Sequence, residues 1–259
     1  MNSLPSVIPR VALVTGGALR LGRAMVQALA AQGFSVAIHC NRNHEAASEL
    51  LASIGGKGCV VRADLAKEET LLPLMWEVQD MLGPVGVLIN NASVFERDEF
   101  DNVTRESWER HMQPNLRAPF VLSQAMVKAL PDGAEGFILH MLDQRVWNLT
   151  PHFVSYTISR SALWSLTRTM AMAFAPRVRV NAIGPGPVLP AEGQSLEHFD
   201  QMCRETPLQH GSSPEEIARA ALMLLSLPSV TGQMLALDGG QHLNWGPTNM
   251  TQDYVLEGP

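Results

Sequence analysis

A glycine-rich turn between a predicted strand and a predicted helix is the feature that most constrains the fold of this chain. The turn is Thr15-Gly-Gly-Ala-Leu-Arg-Leu-Gly22, and it follows the short apolar run Val11–Val14. The sequence from Leu21 to Gly33 predicts a helix, because apolar residues recur at Met25, Val26, Leu29 and Ala30. Such a turn directs unpaired backbone N–H groups from the positive end of a helix dipole, where a diphosphate binds well. Gly16 and Gly22 let the backbone approach that ligand, so the turn predicts nucleotide binding.

The rest of the sequence alternates short apolar runs with longer amphipathic stretches. The apolar runs predict seven strands, over Val11–Val14, Phe34–His39, Gly58–Arg62, Val85–Ile89, Gly136–Met141, Val178–Ile183 and Met234–Leu237. The amphipathic stretches after the first helix predict further helices, over Glu45–Ile54, Glu68–Leu82, Ser107–Leu130, Ser155–Phe174 and Pro214–Leu225. Strands joined by helical crossovers form parallel sheets. We therefore expect an α/β fold: a Rossmann-type doubly wound parallel sheet of about seven strands with helices on both faces.

One long break interrupts this alternation. The Pro/Gly-rich segment Gly184–Gly193 is followed by Ser195–Arg204 without a clear strand or helix pattern. A lid over the binding site is the functional interpretation, and a surface excursion is the alternative. No internal repeat, low-complexity tract or linker divides the sequence, so residues 1–259 are predicted to form a single domain.

Composition narrows the class of function. Hydrophobic residues make up 46% of the chain and charged residues 17%, which is typical of a soluble globular protein. A net charge of −6 argues against a nucleic-acid partner, which needs a basic face. No apolar run approaches the ~18 residues that span a bilayer, and the N-terminus has no apolar signal core. Cys40, Cys59 and Cys203 lack metal-ligand spacing, so we expect free thiols, no metal and a cytoplasmic location.

The end of the second predicted strand indicates which dinucleotide binds. In this architecture an acidic residue there hydrogen-bonds the ribose hydroxyls and repels a 2′-phosphate. The run His39-Cys-Asn-Arg-Asn43 contains no acid, and Arg42 offers a planar cationic fork that suits phosphate. Arg20 in the glycine turn can supply a second guanidinium, so NADP is predicted over NAD. Asp64 follows the third strand, where it either accepts from an adenine amino group or caps the following loop.

The candidate chemistry lies in a predicted helix later in the chain. Tyr156 and Arg160 are four residues apart there, so they share one face of the helix. A phenol with a pKa of ~10 exchanges protons poorly near neutral pH unless a cation stabilises its phenolate. Arg160 carries that positive charge but cannot lose its proton, so it cannot join a proton relay. Asn115 interrupts an apolar helical stretch, where its amide can hold a bend in the backbone.

Taken together, these features resemble the short-chain dehydrogenase/reductase family over nearly the whole chain. The resemblance depends on the glycine turn, Asn90-Asn91-Ala92, Asn115, Tyr156 and the Pro185-Gly186 turn. Within that family the sequence is similar to the pteridine reductases. The matching positions are Arg20, His39 with Arg42, Ser93, Phe95, Asp143 thirteen residues before Tyr156, and the run Asp238-Gly-Gly-Gln-His-Leu243. The chain departs from the family at Arg160, where family members carry Lys.

The resemblance implies roles for individual residues. The implied catalytic residues are Asp143, Tyr156, Arg160 and Asn115. The cofactor contacts that the sequence patterns and the resemblance together imply are Gly16, Arg20, Leu21, Gly22, His39, Asn41, Arg42, Asn43, Asp64, Leu65, Asn91, Ala92, Ser93, Tyr156, Arg160, Pro185 and Gly186. The implied substrate contacts are Arg20, Ser93, Phe95, Asp143 and Tyr156, with Phe95 stacking a flat heterocycle against the nicotinamide. A homotetramer is also implied, with the long helices over Ser107–Leu130 and Ser155–Phe174 packing against other copies.

Three functions stay open at this point. The first is NADPH-dependent reduction of a flat, pterin-like heterocycle, with Tyr156 as the proton donor. The second is reduction of a small ketone or ketoacyl substrate. Asp143 argues against it, because carbonyl-reducing relatives carry Ser at that position. The third is an NADP-binding sensor or scaffold with impaired catalysis, which only Arg160 supports. In each case the expected partner is a small molecule, with no nucleic acid, membrane or metal.

Overall fold

Seven parallel strands form one sheet at the centre of the structure. The computed structural model describes residues 7–191 and 193–244. The strands are β1 (Val11–Val14), β2 (Ser35–Cys40), β3 (Gly58–Arg62), β4 (Val87–Asn90), β5 (Gly136–Met141), β6 (Val178–Pro185) and β7 (Met234–Leu237). Their order across the sheet is β3-β2-β1-β4-β5-β6-β7. The strand order reverses between β1 and β4, which is where ligands bind in open parallel sheets. The predicted doubly wound α/β fold is confirmed.

Helices cover both faces of this sheet. They are α1 (Arg20–Ala31), α2 (His44–Ser53), α3 (Leu71–Leu82), α4 (Arg105–Met112), α5 (Ala118–Ala129), α6 (Val154–Phe174), α7 (Leu196–Arg204) and α8 (Pro214–Ser226). One buried apolar cluster includes Leu29 of α1 and Leu224 of α8, while a second includes Met75 of α3 and Met170 of α6. The two clusters lie on opposite faces of the strands, because alternate strand residues belong to each. Within the described residues, no helix is long and apolar enough to span a bilayer.

The observed elements differ from the predicted ones in two instructive places. The predicted helix over Ser107–Leu130 is three pieces, since a π-helical turn over Gln113–Arg117 separates α4 from α5. The stretch Ser195–Arg204, expected to continue an irregular lid, instead contains α7, with the Ser195 hydroxyl accepting from the His198 backbone at 3.2 Å. This serine cap starts a short helix whose pattern is hard to recognise after a Pro/Gly-rich segment.

Candidate active site

The glycine turn leads from β1 into α1 and leaves no room for side chains at two positions. A Cβ on Gly22 would lie 2.1 Å from the carbonyl oxygen of Gly16. Gly16 itself has a φ of 61°, a region that favours glycine, and a Cβ there would lie 3.1 Å from the Cα of Ala92. The two glycines therefore keep the backbone closely packed at the N-terminus of α1. This backbone cradle suits a diphosphate group.

A buried histidine supports the glycine turn from β2. The Nδ1 atom of His39 accepts a hydrogen bond from the backbone N–H of Gly16 at 3.1 Å, and Nε2 lies 3.1 Å from the carbonyl oxygen of Ala63. Because a carbonyl only accepts, His39 carries its proton on Nε2. Burial lowers the pKa of His39 to about 4, although the Ala63 carbonyl and the charge of Asp64 raise it. Both ring nitrogens of His39 are therefore occupied within the protein, and its side chain fixes the position of Gly16.

Side chains link the ends of β1 and β4 at the same edge of the sheet. The hydroxyl oxygen of Thr15 accepts from the backbone N–H groups of Asn91 at 2.9 Å and Ala92 at 3.0 Å. The side-chain amide of Asn91 donates to the carbonyl oxygens of Thr15 at 2.9 Å and Gly16 at 3.1 Å. Asn90 differs from its neighbour, because neither atom of its buried amide has a hydrogen-bond partner among the described residues.

Two arginines lie at the carboxyl ends of the neighbouring strands β2 and β3, where the 2′-phosphate is expected. Arg42 is exposed, and its guanidinium makes no hydrogen bond or ion pair with another described residue. Arg62, which the sequence analysis missed, donates from Nε to the carbonyl oxygen of Asn41 at 2.9 Å. The Oδ1 atom of Asp64 accepts from the Asn41 amide at 3.4 Å and from the Ala66 backbone at 3.1 Å. Because β2 pairs with β3, Arg62 lies beside Cys40 at the end of β2, and this pairing is the signal that could have identified Arg62 as a candidate phosphate contact.

Arg20 points to a different part of the site. Its Nη2 atom donates to the carbonyl oxygen of Leu189 at 3.2 Å, so it links the glycine turn to the segment after β6. Pro185 is the last residue of β6, and Gly186 follows it at the same edge of the sheet. The other predicted cofactor contacts each lie at or just after the carboxyl end of a strand or in the first turn of α1: Leu21, Asn43, Leu65, Ala92 and Ser93.

Three of the predicted catalytic residues, Asp143, Tyr156 and Arg160, lie together between β5 and α6. The hydroxyl of Tyr156, in the first turn of α6, donates to Oδ2 of Asp143 at 3.0 Å. The guanidinium carbon of Arg160 lies 5.2 Å from the centre of the Tyr156 ring, and its Nη1 donates to the carbonyl oxygen of Met141 at 3.0 Å. Tyr156 is 6% exposed and Arg160 is 2% exposed. The spacing of four residues thus puts the phenol and the cation on one buried face.

Burial and charge oppose each other at Tyr156. Burial is the largest cause that raises the pKa of Tyr156, to about 12, and the negative charge of Asp143 adds to it. The guanidinium groups of Arg160 and Arg145 lower the pKa. The phenol therefore keeps its proton at neutral pH, and the phenolate formed when it gives up that proton has two nearby cations to stabilise it.

A cluster of aromatic rings lies beside this tyrosine. The ring of Phe95 stacks on that of Phe153, with centroids 4.6 Å apart and planes at 6°. Its centroid also lies 4.7 Å from that of the Tyr156 ring, in a T-shaped arrangement with the planes at 76°. Phe95 is 42% exposed, so part of its ring stays accessible to a flat ligand. Phe153, the residue just before α6, has a φ of 56°, and its place in the site was not expected from the sequence.

Arg145 is a second site residue that the sequence analysis missed. Its guanidinium carbon lies 5.2 Å from the Phe95 ring centre, 4.9 Å from that of Phe153 and 5.9 Å from that of Tyr156. Its backbone N–H donates to Oδ1 of Asp143 at 2.9 Å, and its Nε lies 3.9 Å from the same oxygen. The sequence signal was a cation two residues after a candidate catalytic carboxylate. Asp143 therefore faces a phenol with one oxygen and Arg145 with the other.

The π-helical turn between α4 and α5 positions Asn115. Its Oδ1 accepts from the backbone N–H of Val94 at 2.8 Å, and its Nδ2 donates to the Val94 carbonyl at 2.9 Å and the Ser159 hydroxyl at 3.1 Å. Asn115 thus links the segment that carries Phe95 to the helix that carries Tyr156. Such turns hold one extra residue and often occur at functional sites. No group of three or more candidate metal ligands occurs in the part of the chain that the structure describes.

Known proteins resemble this chain over most of its length. Residues 17–242 match the family model described as Enoyl-(Acyl carrier protein) reductase. The chain is similar to the solved FolM alternative dihydrofolate reductase 1 from Brucella suis in complex with NADP, with 45% identity, a TM-score of 0.88, and coverage of 91% of this chain and 96% of that chain. The corresponding NADP complex from Brucella canis has 43% identity and a TM-score of 0.87, covering 93% and 98%. An uncharacterized Escherichia coli oxidoreductase, YgfF, is 31% identical over 245 residues, covering 89% of this chain and 99% of the relative.

Proposed function

We propose that this chain, a pteridine reductase-like member of the short-chain dehydrogenase/reductase family, reduces a flat, pterin-like heterocycle with NADPH. Family membership makes the protein an oxidoreductase. The observation that carries the narrower proposal is the 3.0 Å hydrogen bond from Tyr156 to Asp143. A carboxylate stands here where carbonyl-reducing relatives are expected to carry a serine hydroxyl. Similarity to two solved dihydrofolate reductases of this family supports the same substrate class.

NADP fits the residues at the carboxyl edge of the sheet. The cradle that a Cβ on Gly22 would fill suits the diphosphate. Arg42 and Arg62 supply positive charge for a 2′-phosphate, and Asp64 can accept from the adenine amino group. Both Brucella relatives were solved with NADP. When bound, NADPH supplies the hydride for the reduction.

Tyr156 donates the proton that reduction requires. An atom that gains an electron pair during hydride transfer needs a proton donor within hydrogen-bond reach. The phenol is protonated at neutral pH, because its pKa is raised to about 12. After it gives up the proton, the phenolate is stabilised by the positive charge of Arg160, whose guanidinium carbon is 5.2 Å from the ring centre. Asp143 orients the hydroxyl and provides the path by which a proton returns to it.

The test is steady-state NADPH oxidation with dihydropteridines and with a matched panel of ketones and ketoacyl thioesters. We expect turnover with the dihydropteridines, and at least a ~100-fold lower kcat for Tyr156→Phe with retained NADPH binding. Arg160→Met should lower kcat and move the alkaline limb of the pH profile upward, because the phenolate loses a cation and the pKa of Tyr156 rises. Arg160→Lys should preserve or raise activity, since the ammonium keeps the charge in a more compact group.

Each alternative outcome has a distinct meaning. Turnover with ketones but not with pterins would replace the proposed substrate class with the carbonyl-reducing alternative. Tight NADPH binding without turnover on any substrate would make the chain a cofactor-binding sensor or scaffold, especially if Arg160→Lys alone restored catalysis. Equal rates in the unmodified protein, Arg160→Lys and Arg160→Met would show that the cation plays no part in proton donation.

A further inference from the structure

Three buried side chains between the sheet and α6 present polar atoms without hydrogen-bond partners among the described residues. These atoms are both amide atoms of Asn90, Nε2 of His140 and Nε of Arg160. None of the three residues is more than 2% exposed. A buried polar atom left unpaired costs roughly 1–3 kcal/mol, so folded proteins pair such atoms with protein groups or with bound water.

The strand register brings two of these side chains side by side. Asn90 ends β4 and lies opposite His140 in the parallel ladder with β5, so both side chains point to the same face of the sheet. This face is the one that α6 covers, because Nδ1 of His140 lies 2.8 Å from the hydroxyl of Thr167. Arg160 is two helical turns before Thr167, and its Nη1 is held at the carbonyl of Met141, the residue after His140. All three side chains therefore converge beneath the same stretch of α6.

The hydrogen-bonding role of each unpaired atom follows from its neighbours. The hydroxyl of Thr167 donates to the carbonyl oxygen of Leu163 at 2.8 Å, so it accepts from Nδ1–H of His140. His140 therefore presents a lone pair at Nε2. Burial, and secondarily the charge of Arg160, lower the pKa of His140 to about 3, so the ring stays neutral. Arg160 offers a donor at Nε, and Asn90 offers an acceptor at Oδ1 and a donor group at Nδ2.

We propose that Asn90, His140 and Arg160 form a binding site for one buried water molecule, which fixes the Arg160 guanidinium next to Tyr156. The water accepts from Nε–H of Arg160 and donates to Nε2 of His140 and Oδ1 of Asn90. Three polar partners is the usual number for a buried water. A lysine ammonium has no Nε–H at this point in the side chain, so the site is matched to an arginine. Asn90 and His140 are thus positioning residues for Arg160.

A high-resolution crystal structure tests the water site directly, whatever the substrate. In the unmodified protein we expect one ordered oxygen within hydrogen-bond distance of all three residues. In His140→Leu we expect that oxygen to be absent and the Arg160 guanidinium to move or become disordered. Direct contact of Nε of Arg160 with His140 or Asn90, with no water between them, would overturn the proposal. This readout does not depend on the proposed pterin reduction, so the two can fail separately.

The catalytic consequence, which does rest on the proposed function, is tested by a double-mutant cycle. His140→Leu should lower kcat by about 10-fold and shift the alkaline limb of the pH profile upward, corresponding to a loss of roughly 1.4 kcal/mol. His140→Asn, which keeps an acceptor, should restore most of the activity and also guards against a folding defect. In an Arg160→Lys background His140→Leu should have a much smaller effect, because the ammonium does not use the water. Equal effects in both backgrounds would overturn the positioning role.

Several charged groups surround the Tyr156 phenol, so a shift of the pH profile in His140→Leu must be shown to come from Arg160. The charged or titratable groups that face Tyr156 are Asp143 and Arg145 after β5, Arg160 on α6, and His111 on α4, whose ring centre lies 6.5 Å away. Among these, Arg160 is the group that acts electrostatically on His140. Ser123→Ala is a matched control, since this buried α5 hydroxyl has no partner among the described residues. We expect it to leave the pH profile unchanged, and a shift equal to that of His140→Leu would overturn the assignment.

Discussion

At the scale of single residues, we expect the charges at the ends of β2 and β3 to set the preference between NADPH and NADH. Arg42 is exposed and has no acidic partner among the described residues, so its guanidinium is available to a phosphate. The neighbouring Arg62 is held at the carbonyl of Asn41. A 2′-phosphate would therefore meet concentrated positive charge, whereas a ribose hydroxyl would meet no carboxylate from β2.

NADPH should accordingly bind at least ~10-fold more tightly than NADH, which corresponds to about 1.4 kcal/mol. Arg42→Ala should remove most of that preference by weakening NADPH binding and should leave NADH binding nearly unchanged. Fluorescence titration of both cofactors measures this without any substrate. Lys67→Ala is the control, because it removes one exposed positive charge shortly after Asp64. Equal affinities of the unmodified protein for the two cofactors would contradict the prediction.

The sequence predicted some residues around Tyr156 and missed others, and the difference has a physical reason. Tyr156 and Arg160 are close in sequence, so helical spacing alone places them together. Arg145 and His140 contact residues that are distant in sequence. Arg145 packs against Phe95, and His140 on β5 lies opposite Asn90 on the neighbouring strand β4. Such contacts depend on strand register and loop path, which local patterns do not determine.

At the scale of elements, the π-helical turn between α4 and α5 connects the two halves of the site. Asn115 makes three hydrogen bonds from this turn, two to the backbone of Val94 and one to Ser159. Apolar periodicity predicted one helix over Ser107–Leu130, because both flanking pieces are helical and only one turn between them departs from α-helical hydrogen bonding. The presence of Asn115 in that stretch indicated an irregularity, but its form came only from the structure.

Asn115→Ala should destabilise the fold by about 1–3 kcal/mol, since it leaves the half-buried backbone N–H of Val94 without a partner and removes one of two side-chain hydrogen bonds to the Val94 carbonyl oxygen. It should also lower kcat, because the segment with Phe95 loses its connection to α6. Denaturant unfolding and steady-state kinetics measure the two effects. Asn102→Ala is the matched control, because Asn102 is exposed and caps a nearby loop through the Glu99 backbone at 2.8 Å. A loss of stability no larger than that of the control would argue against the structural role of Asn115.

At the scale of the whole molecule, two buried histidines make folding depend on pH. Burial lowers the pKa of His39 to about 4 and that of His140 to about 3, whereas both titrate near 6.5 in the unfolded chain. The folded state therefore resists protonation, and stability is lost as pH falls from about 6.5 through the folded pKa values.

The free energy of unfolding should thus fall by ~4 kcal/mol between pH 7 and pH 5. His140→Asn should lose only about half as much over the same range, because one of the two groups no longer titrates. Urea unfolding curves at the two pH values measure the difference. His44→Gln, a change at an exposed histidine, should behave like the unmodified protein. A stability that stays constant between pH 7 and pH 5 would mean that the two rings are not buried in neutral form.

Assembly is also a property of the whole molecule, and we predict a homotetramer. The expected contact helix α6 buries Met170 in the core and half-buries Trp164 and Leu166, but it leaves Met172 73% exposed and Ile158 38% exposed. These two side chains lie fourteen residues apart on the outer face of α6. Sedimentation at micromolar concentration should give the mass of four chains, and Met172→Glu should shift it toward smaller species. A monomer mass for the unmodified protein would contradict the prediction.

The π-helical turn has one more consequence, which concerns how such a chain can change over evolution. A turn with one extra residue lets the helices on either side keep their buried faces, because the surplus is absorbed locally. Deleting one residue from Gln113–Arg117 would therefore restore a continuous helix without disturbing the packing of α4 or α5. It would, however, rotate or remove the Asn115 amide. The packing of α4 and α5 therefore tolerates the loss of one residue from this turn, whereas the position of the Asn115 amide does not. We expect that the gain of one residue here, rather than a substitution, gave this segment its present form.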